Sequence, residues 1–295
     1  MVAVKKPVAK KPAAKKPVAK KPAAKKPVAK KPAAKKRAVV RALPLSGYEP
    51  KFTWEPWGSY GQVHDNCYDY AFGSYSDRRP IKSSPGARRK IGTNGLTFTN
   101  CRGITERILK DNPKGGVKLI RPTLRCPPEY YKVMCFVAPH NDFFESAGDF
   151  HFLKQVGSVR YRIRQGDTIR GLAQFFHVHP GVILRAARMS TMPITPRDGW
   201  ISNESSELRN LDKLNEVHAN TTRLKPNRII EFPVNLWGHK QGWAGGPIMV
   251  DASGNTIVDP RKANLCYHPG FQYTKFCSAW AVRRGVAETG TNNNR

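Results

Sequence analysis

The sequence predicts an α+β protein in which one sheet and several helices follow a long basic arm. Residues 130–137 are apolar enough for a central strand, and residues 149–155 alternate apolar and polar side chains as a half-buried strand does. Residues 104–113 have the spacing of a short amphipathic helix that stops before Pro113. Proline recurs every fifth residue in the first forty residues, where it opposes both helices and central strands.

Charge divides the chain unevenly. The 295 residues carry a net charge of +30, and residues 1–41 hold fourteen Lys, two Arg and no acid. The remainder still carries about +14, so polyanions are the expected partners of the whole chain. No apolar run approaches the roughly 18 residues of a membrane span, and the N-terminus has no apolar signal segment. We therefore expect a protein made in the cytoplasm, without a transmembrane segment or signal peptide.

The basic arm, residues 1–47, repeats Lys-Lys-Pro-x-Ala and is expected to be extended, disordered or polyproline-II-like. It contains no aromatic residue up to Pro44, so its binding should be Coulombic and blind to sequence. The alternatives are a solubilising tail or a strap along acidic grooves of neighbouring subunits. The expected polyanion-binding residues are Lys5, Lys6, Lys10, Lys11, Lys15, Lys16, Lys20, Lys21, Lys25, Lys26, Lys30, Lys31, Lys35, Lys36 and Arg37. Such repeats resemble histone tails and, more closely, proteins of large DNA viruses of algae, which implies a place in a virion.

Residues 159–235 predict a strand, a helix that Asp167 or Thr168 caps, a Pro-Asn turn and a second strand ended by Pro233. Gly166-Asp-Thr168, Leu172-Ala173 and Leu224–Pro233 resemble LysM modules. That resemblance implies a β-α-α-β unit that binds N-acetylglucosamine-containing glycans, or one that only docks a partner. Its second helix is either residues 180–189 or residues 208–217. The implied glycan-binding residues are Gly166, Asp167, Thr168, Ile169, Pro226 and Asn227.

Cys67 falls in the first turn of a predicted short helix, where unsatisfied N–H groups favour a thiolate. Asn66-Cys-Tyr-Asp-Tyr-Ala71, Asp149–Gln155 and Trp237–Gly242 together resemble motifs of papain-like and NlpC-like cysteine hydrolases. The resemblance implies an antiparallel sheet with helices, with Cys67 as nucleophile, His151 as base and His239 as a third polar group.

These resemblances divide the chain into four parts. Residues 48–158 and 236–284 form a discontinuous Cys-His domain, and residues 159–235 are a module inserted into it. The arm precedes this body, and residues 285–295 are expected to be a disordered tail.

No metal site or cofactor is expected. Cys266 and Cys277 with His268, or Cys126 with Cys135, are the available ligand types, but no C-x-x-C spacing occurs. Six cysteines in a chain of this size also do not indicate a disulfide-dense scaffold.

Three functions remain open. The first is a virion-associated structural protein, of minor capsid or core type, of a large DNA virus, whose arm contacts DNA or other virion proteins. The second is a cell-wall-directed cysteine amidase or peptidase, and the third is a glycan-binding protein with an inactive hydrolase domain. A secreted wall enzyme has little use for sixteen positive charges, so the structural function ranks first.

Overall fold

A computed structural model describes residues 41–54, 56–58, 65–75, 82–91, 100–138, 148–188, 224–242, 245–268 and 271–290. Residues 40–295 form one compact unit, called the body below. The lysines of the basic arm lie outside the described residues. Among the described residues, no helix has the length and apolarity that a membrane crossing requires.

A six-stranded sheet forms the centre of the body. Its strands are β1 (Lys51–Phe52), β2 (Val117–Ile120), β3 (Tyr130–Ala138), β4 (Asp149–Arg162), β5 (Ile229–His239) and β8 (Lys275–Arg283). Their order is β1-β4-β3-β8-β2, with β5 also paired to β4, and only the β1–β4 pair is parallel. Two short strands, β6 (Cys266–His268) and β7 (Phe271–Gln272), pair separately. With its few helices, this sheet confirms the α+β class.

Two helices cover one face of the sheet. Asn66 caps α1 (Cys67–Phe72) by accepting from the amides of residues 68 and 69, and Asn100 caps α2 (Cys101–Asp111) in the same way. Their apolar side chains pack on Val133, Cys135 and Val137 of β3. A disulfide between Cys101 and Cys277 joins α2 to β8. This pairing was not predictable from the sequence, because the two residues are 176 positions apart and share no motif.

The other face of the sheet is covered by residues 245–274. Met134, Phe136 and Ala138 of β3 point to this side and pack against Trp237, Ile257 and Leu265. In this segment, isolated bridges join Ile248 to His239 and Val250 to Thr256. Strand β3 is buried along its whole length, because both faces are covered.

A third apolar cluster lies where β4 and β5 extend beyond the main sheet. Val159, Ile163, Ile230 and Phe232 form its floor, and α3 (Ile169–Phe175) and α4 (Pro180–Arg188) lie on it. This gives the order strand–helix–helix–strand with antiparallel outer strands. Of the two candidates for the second helix, residues 180–188 are helical and residues 208–217 lie outside the described residues.

The structure differs from the sequence-based boundaries at three places. Strand β5 does not end at Pro233, which pairs with Ser158, but continues to His239. The register shifts where residues 234 and 235 of β5 face Gly157, and the Gly157 amide bonds to the Pro50 carbonyl. Leu43 and Leu45 are buried, so the body begins before residue 48. The last described residues are also packed, since the Thr289 hydroxyl donates to Asp69.

Candidate functional site

The three motifs around Cys67, His151 and His239 meet at the central strand β4. The Cys67 thiol donates to the carbonyl of Phe150 over 3.6 Å. The rings of His151 and His239 are joined by a 3.0 Å contact from Nε2 to Nδ1. Residues distant in sequence therefore belong to one structural region.

Cys67 does not have the environment of an activated nucleophile. Its side chain is buried in the apolar cluster with Phe150 and Phe152. Burial raises the pKa of the Cys67 thiol far above its ordinary value, and the charges of Asp149 and Asp69 act in the same direction. The lowered pKa expected from the first turn of a helix is thus wrong, because desolvation outweighs the backbone N–H groups.

The sheet separates the Cys67 thiol from the His151 imidazole. Side chains alternate along a strand, and Phe150 and Phe152 point toward α1. His151 lies between them and points to the opposite face, where it stacks on Tyr273 with ring centroids 4.8 Å apart. The structure therefore brings His151 and His239 together but does not bring Cys67 to either ring.

The two imidazoles form a chain whose proton positions follow from their partners. The Nε2 atom of His239 lies 3.1 Å from the Val250 carbonyl, which only accepts, so this nitrogen carries the proton. Its Nδ1 atom is then the acceptor, and Nε2 of His151 donates to it. The Tyr267 hydroxyl, 3.0 Å from Nε2 of His239, accepts there and donates to Val250. With both histidines protonated on Nε2, every hydrogen bond in this chain of side chains has one donor and one acceptor.

Burial keeps both rings neutral. It lowers the pKa of His239 to about 4 and the pKa of His151 well below its ordinary value, and the neighbouring ring adds to the effect on His151. A cleft of about 200 Å³ borders Tyr273, which lies between it and His151. The Tyr273 hydroxyl donates to Asp149 over 2.6 Å. The pair thus fits a structural hydrogen-bond chain that holds β5 and residues 250–267 against β4.

Lys154 is a residue of this region that sequence reasoning missed. Its ammonium group donates to the Tyr70 carbonyl at the end of α1 over 2.7 Å and lies 3.7 Å from the Tyr70 ring centroid. The Trp57 ring lies on another side. Burial lowers the pKa of Lys154 to about 7, while both ring faces favour the charged form. A lysine inside the apolar strand of residues 149–155 was the available signal.

The proposed glycan-binding residues lie on two neighbouring loops. Backbone hydrogen bonds from Ile163 to Arg228 and from Asn227 to Ile163 join them, each 2.8 Å long. Gly166, Pro226 and Asn227 are exposed. Ile169 is 2% exposed and packs in the core under α3, so its side chain is not available to a ligand.

Asp167 and Thr168 serve the local backbone. One carboxylate oxygen of Asp167 accepts from the Arg164 amide and from the Tyr161 hydroxyl. Thr168 caps α3 by accepting from the Gly171 amide over 3.0 Å. Of the six proposed glycan-binding residues, Gly166, Pro226 and Asn227 are therefore the ones available to a ligand.

Comparison with known proteins assigns no family. No protein-family model, no curated protein and no solved structure matches this chain. Within the described ranges, no three His, Cys, Asp or Glu side chains group as metal ligands do. The function is therefore inferred from the chain's own residues.

The cysteines should fall into three classes when the folded chain is alkylated with iodoacetamide. Exposed Cys266 reacts first, while Cys67, Cys126 and Cys135 react only after denaturation, because they are buried. Cys101 and Cys277 need a reductant as well. Peptide mass spectrometry gives the order, and labelling of Cys67 ahead of Cys266 would restore the nucleophile interpretation.

The histidine pair predicts a stability loss between pH 6.5 and about 4. The unfolded chain takes up protons there that the folded His151 and His239 do not, so each ring lowers the free energy of unfolding as pH falls. The slope is about 1.4 kcal/mol per pH unit for each ring. His239→Gln should make the slope shallower by about this amount in urea titrations followed by tryptophan fluorescence. His177→Gln, at an exposed position, is the control, and equal slopes in both variants would contradict the assignment.

Proposed function

We propose that this chain is a virion-associated structural protein of a large DNA virus, of minor capsid or core type. The observation that supports this most directly is the basic arm. Residues 1–41 carry sixteen positive charges and no negative charge. An extended chain of that composition neutralises phosphates or acidic protein surfaces and releases their counterions. The arm provides attachment to DNA or to other virion proteins, and the body provides specific contacts.

The described part of the body favours a structural role over catalysis. A cysteine amidase or peptidase, the alternative function, needs its thiol and imidazole within hydrogen-bond reach. Here the sheet lies between Cys67 and His151, and the thiol has a raised pKa. The motif residues instead connect α1, β4 and β5 to one another.

The strand–helix–helix–strand unit gives the proposed protein a second contact region. The exposed residues of its loop pair, Gly166, Pro226 and Asn227, offer an amide side chain and open backbone beside it. This suits hydrogen bonding to an N-acetylglucosamine-containing glycan or to a partner protein. The resemblance to LysM modules favours the glycan.

Neutralising the arm should remove most of the salt-dependent binding to duplex DNA. In the full chain, the fourteen arm lysines are changed to Gln, and affinity is measured by fluorescence anisotropy from 50 to 500 mM NaCl. Each lost phosphate contact lowers the slope of log K against log salt by about 0.9, so an arm engaging about six phosphates loses roughly 5.

A chain with the same arm residues in shuffled order is the control. It should keep the full slope, because the binding is blind to sequence. If the glutamine arm leaves the slope unchanged, the arm is not the polyanion-binding element.

The loop pair should retain the chain on chitin or peptidoglycan. The glycan is neutral or weakly charged at these contacts, so retention should persist at high salt. The double variant Pro226→Ala, Asn227→Gly removes both side chains while glycine keeps the positive φ of residue 227, and it should reduce retention about tenfold. Gln165→Ala, at an exposed neighbouring position, is the control. No retention of the unmodified chain at either low or high salt would contradict glycan binding.

A further inference from the structure

Three arginines form a straight row on the outer face of the β4–β5 ribbon. Arg160 and Arg162 occupy alternate positions of β4, and Arg164 lies two residues past the end of the strand. Ile163 still exchanges backbone hydrogen bonds with residues 227 and 228, so the alternation continues, and all three exposed side chains point to the same side. Tyr161 and Ile163 point to the other side, onto α3 and α4. We call this row the arginine row. Sequence analysis did not identify these three arginines as candidate functional residues.

The arginine row is not neutralised by neighbouring acids. Within the described part of the chain, none of its three guanidinium groups forms an ion pair. Glu231, opposite Arg160 on β5, is the acid nearest in register, and its carboxylate pairs with Lys51 at 2.5 Å. The face therefore keeps a net charge of about +3 across the row.

Spacing matches the arginine row to a phosphate backbone. A strand rises about 3.4 Å per residue, so alternate side chains are about 7 Å apart. One strand of duplex DNA presents a charge about every 3.4 Å along the helix axis. The DNA backbone also turns about the axis at each step, so neighbouring phosphates lie farther apart through space than this rise, and the three arginines can meet consecutive phosphates. The packed helices behind the ribbon hold its backbone in place, so the backbone of the row loses little conformational freedom on binding.

We propose that the arginine row is a second nucleic-acid-binding surface, located on the body and independent of the basic arm. Its partner is the phosphate backbone of duplex DNA. Contacts to phosphates position a protein on DNA without reading its bases, so binding by the arginine row should not depend on base sequence. The outward positions of the ribbon carry no aromatic residue, so stacking on single strands contributes nothing. A neutral glycan gains nothing from three exposed charges.

The test uses the full chain with its arm lysines changed to Gln, so that the body's contribution is measured alone. The row variant carries three further substitutions in this chain, Arg160→Gln, Arg162→Gln and Arg164→Gln. The matched control removes three exposed charges flanking the far side of the sheet, by Lys114→Gln, Arg121→Gln and Lys275→Gln. Binding to a labelled 20-base-pair duplex is followed by anisotropy across NaCl concentrations, and thermal unfolding checks that each variant is folded.

The row variant should lower the slope of log K against log salt by roughly 2.7, about 0.9 for each lost phosphate contact, while the control changes it little. Arg→Lys at all three positions should restore the slope, since a point charge suffices for a phosphate. Glu231→Gln should raise affinity, because it removes the face's negative charge and frees Lys51.

Equal effects of the row and control variants would overturn the proposal. So would a loss of binding to an acidic protein or to heparin with duplex binding unchanged, since that would assign the row to another partner. The proposals for the arm and for the arginine row are tested independently. An unchanged salt slope in the chain with the glutamine arm would contradict only the arm proposal, because the row variant is compared with that chain and not with the unmodified one.

Discussion

The two-residue alternation of side chains along β4 is the constraint on which the rest of the body depends. Phe150 and Phe152 point to α1, while His151 and Leu153 point to the segment of residues 245–274. Both faces of this strand are covered, so a shift of one residue would exchange an apolar set for a polar one. The same alternation separates Cys67 from His151. Cys67 and His151 resemble a catalytic pair in sequence, but β4, which carries His151, places the two side chains on opposite faces of the sheet.

At the bulge beside Gly157, β4 passes from the core of the main sheet to the apolar cluster beneath α3 and α4. Before it, β4 pairs with β3 and β5 in the main sheet, and after it β4 pairs with β1 and β5 beneath α3 and α4. The extra residue lies on β5, where residues 234 and 235 face Gly157, and Pro233 next to them pairs with Ser158. The Gly157 amide bonds to Pro50 instead, so no backbone donor is lost there. The strand–helix–helix–strand unit is therefore continuous with the sheet, and a division at residues 158 and 235 falls inside β4 and β5.

Periodic features of the sequence predicted elements well, and solitary features predicted them poorly. The alternation of residues 149–155, the apolar run of residues 130–137 and the capping Thr168 each correspond to an observed element. Local order cannot report which face a distant side chain meets, so the burial of Cys67 and the stacking of His151 on Tyr273 were not predictable. The Cys101–Cys277 disulfide depends on the same long-range pairing. Leu43 and Leu45 were assigned to the arm because the charged repeat beside them dominates the composition.

The basic arm and the arginine row are two groups of positive charges, and binding through them would cost different amounts of conformational entropy. Binding of a polyanion by the arm, as proposed, would cost conformational entropy for each residue fixed. The arginine row is held by the ribbon and by the helices behind it, so its backbone is already ordered. The composition of residues 1–41 predicts an extended segment, which would tolerate any arrangement of phosphates, whereas the proposed row favours a partner whose charges repeat at matching intervals. A protein that carries both can first contact a polyanion through the arm and then orient its body against it.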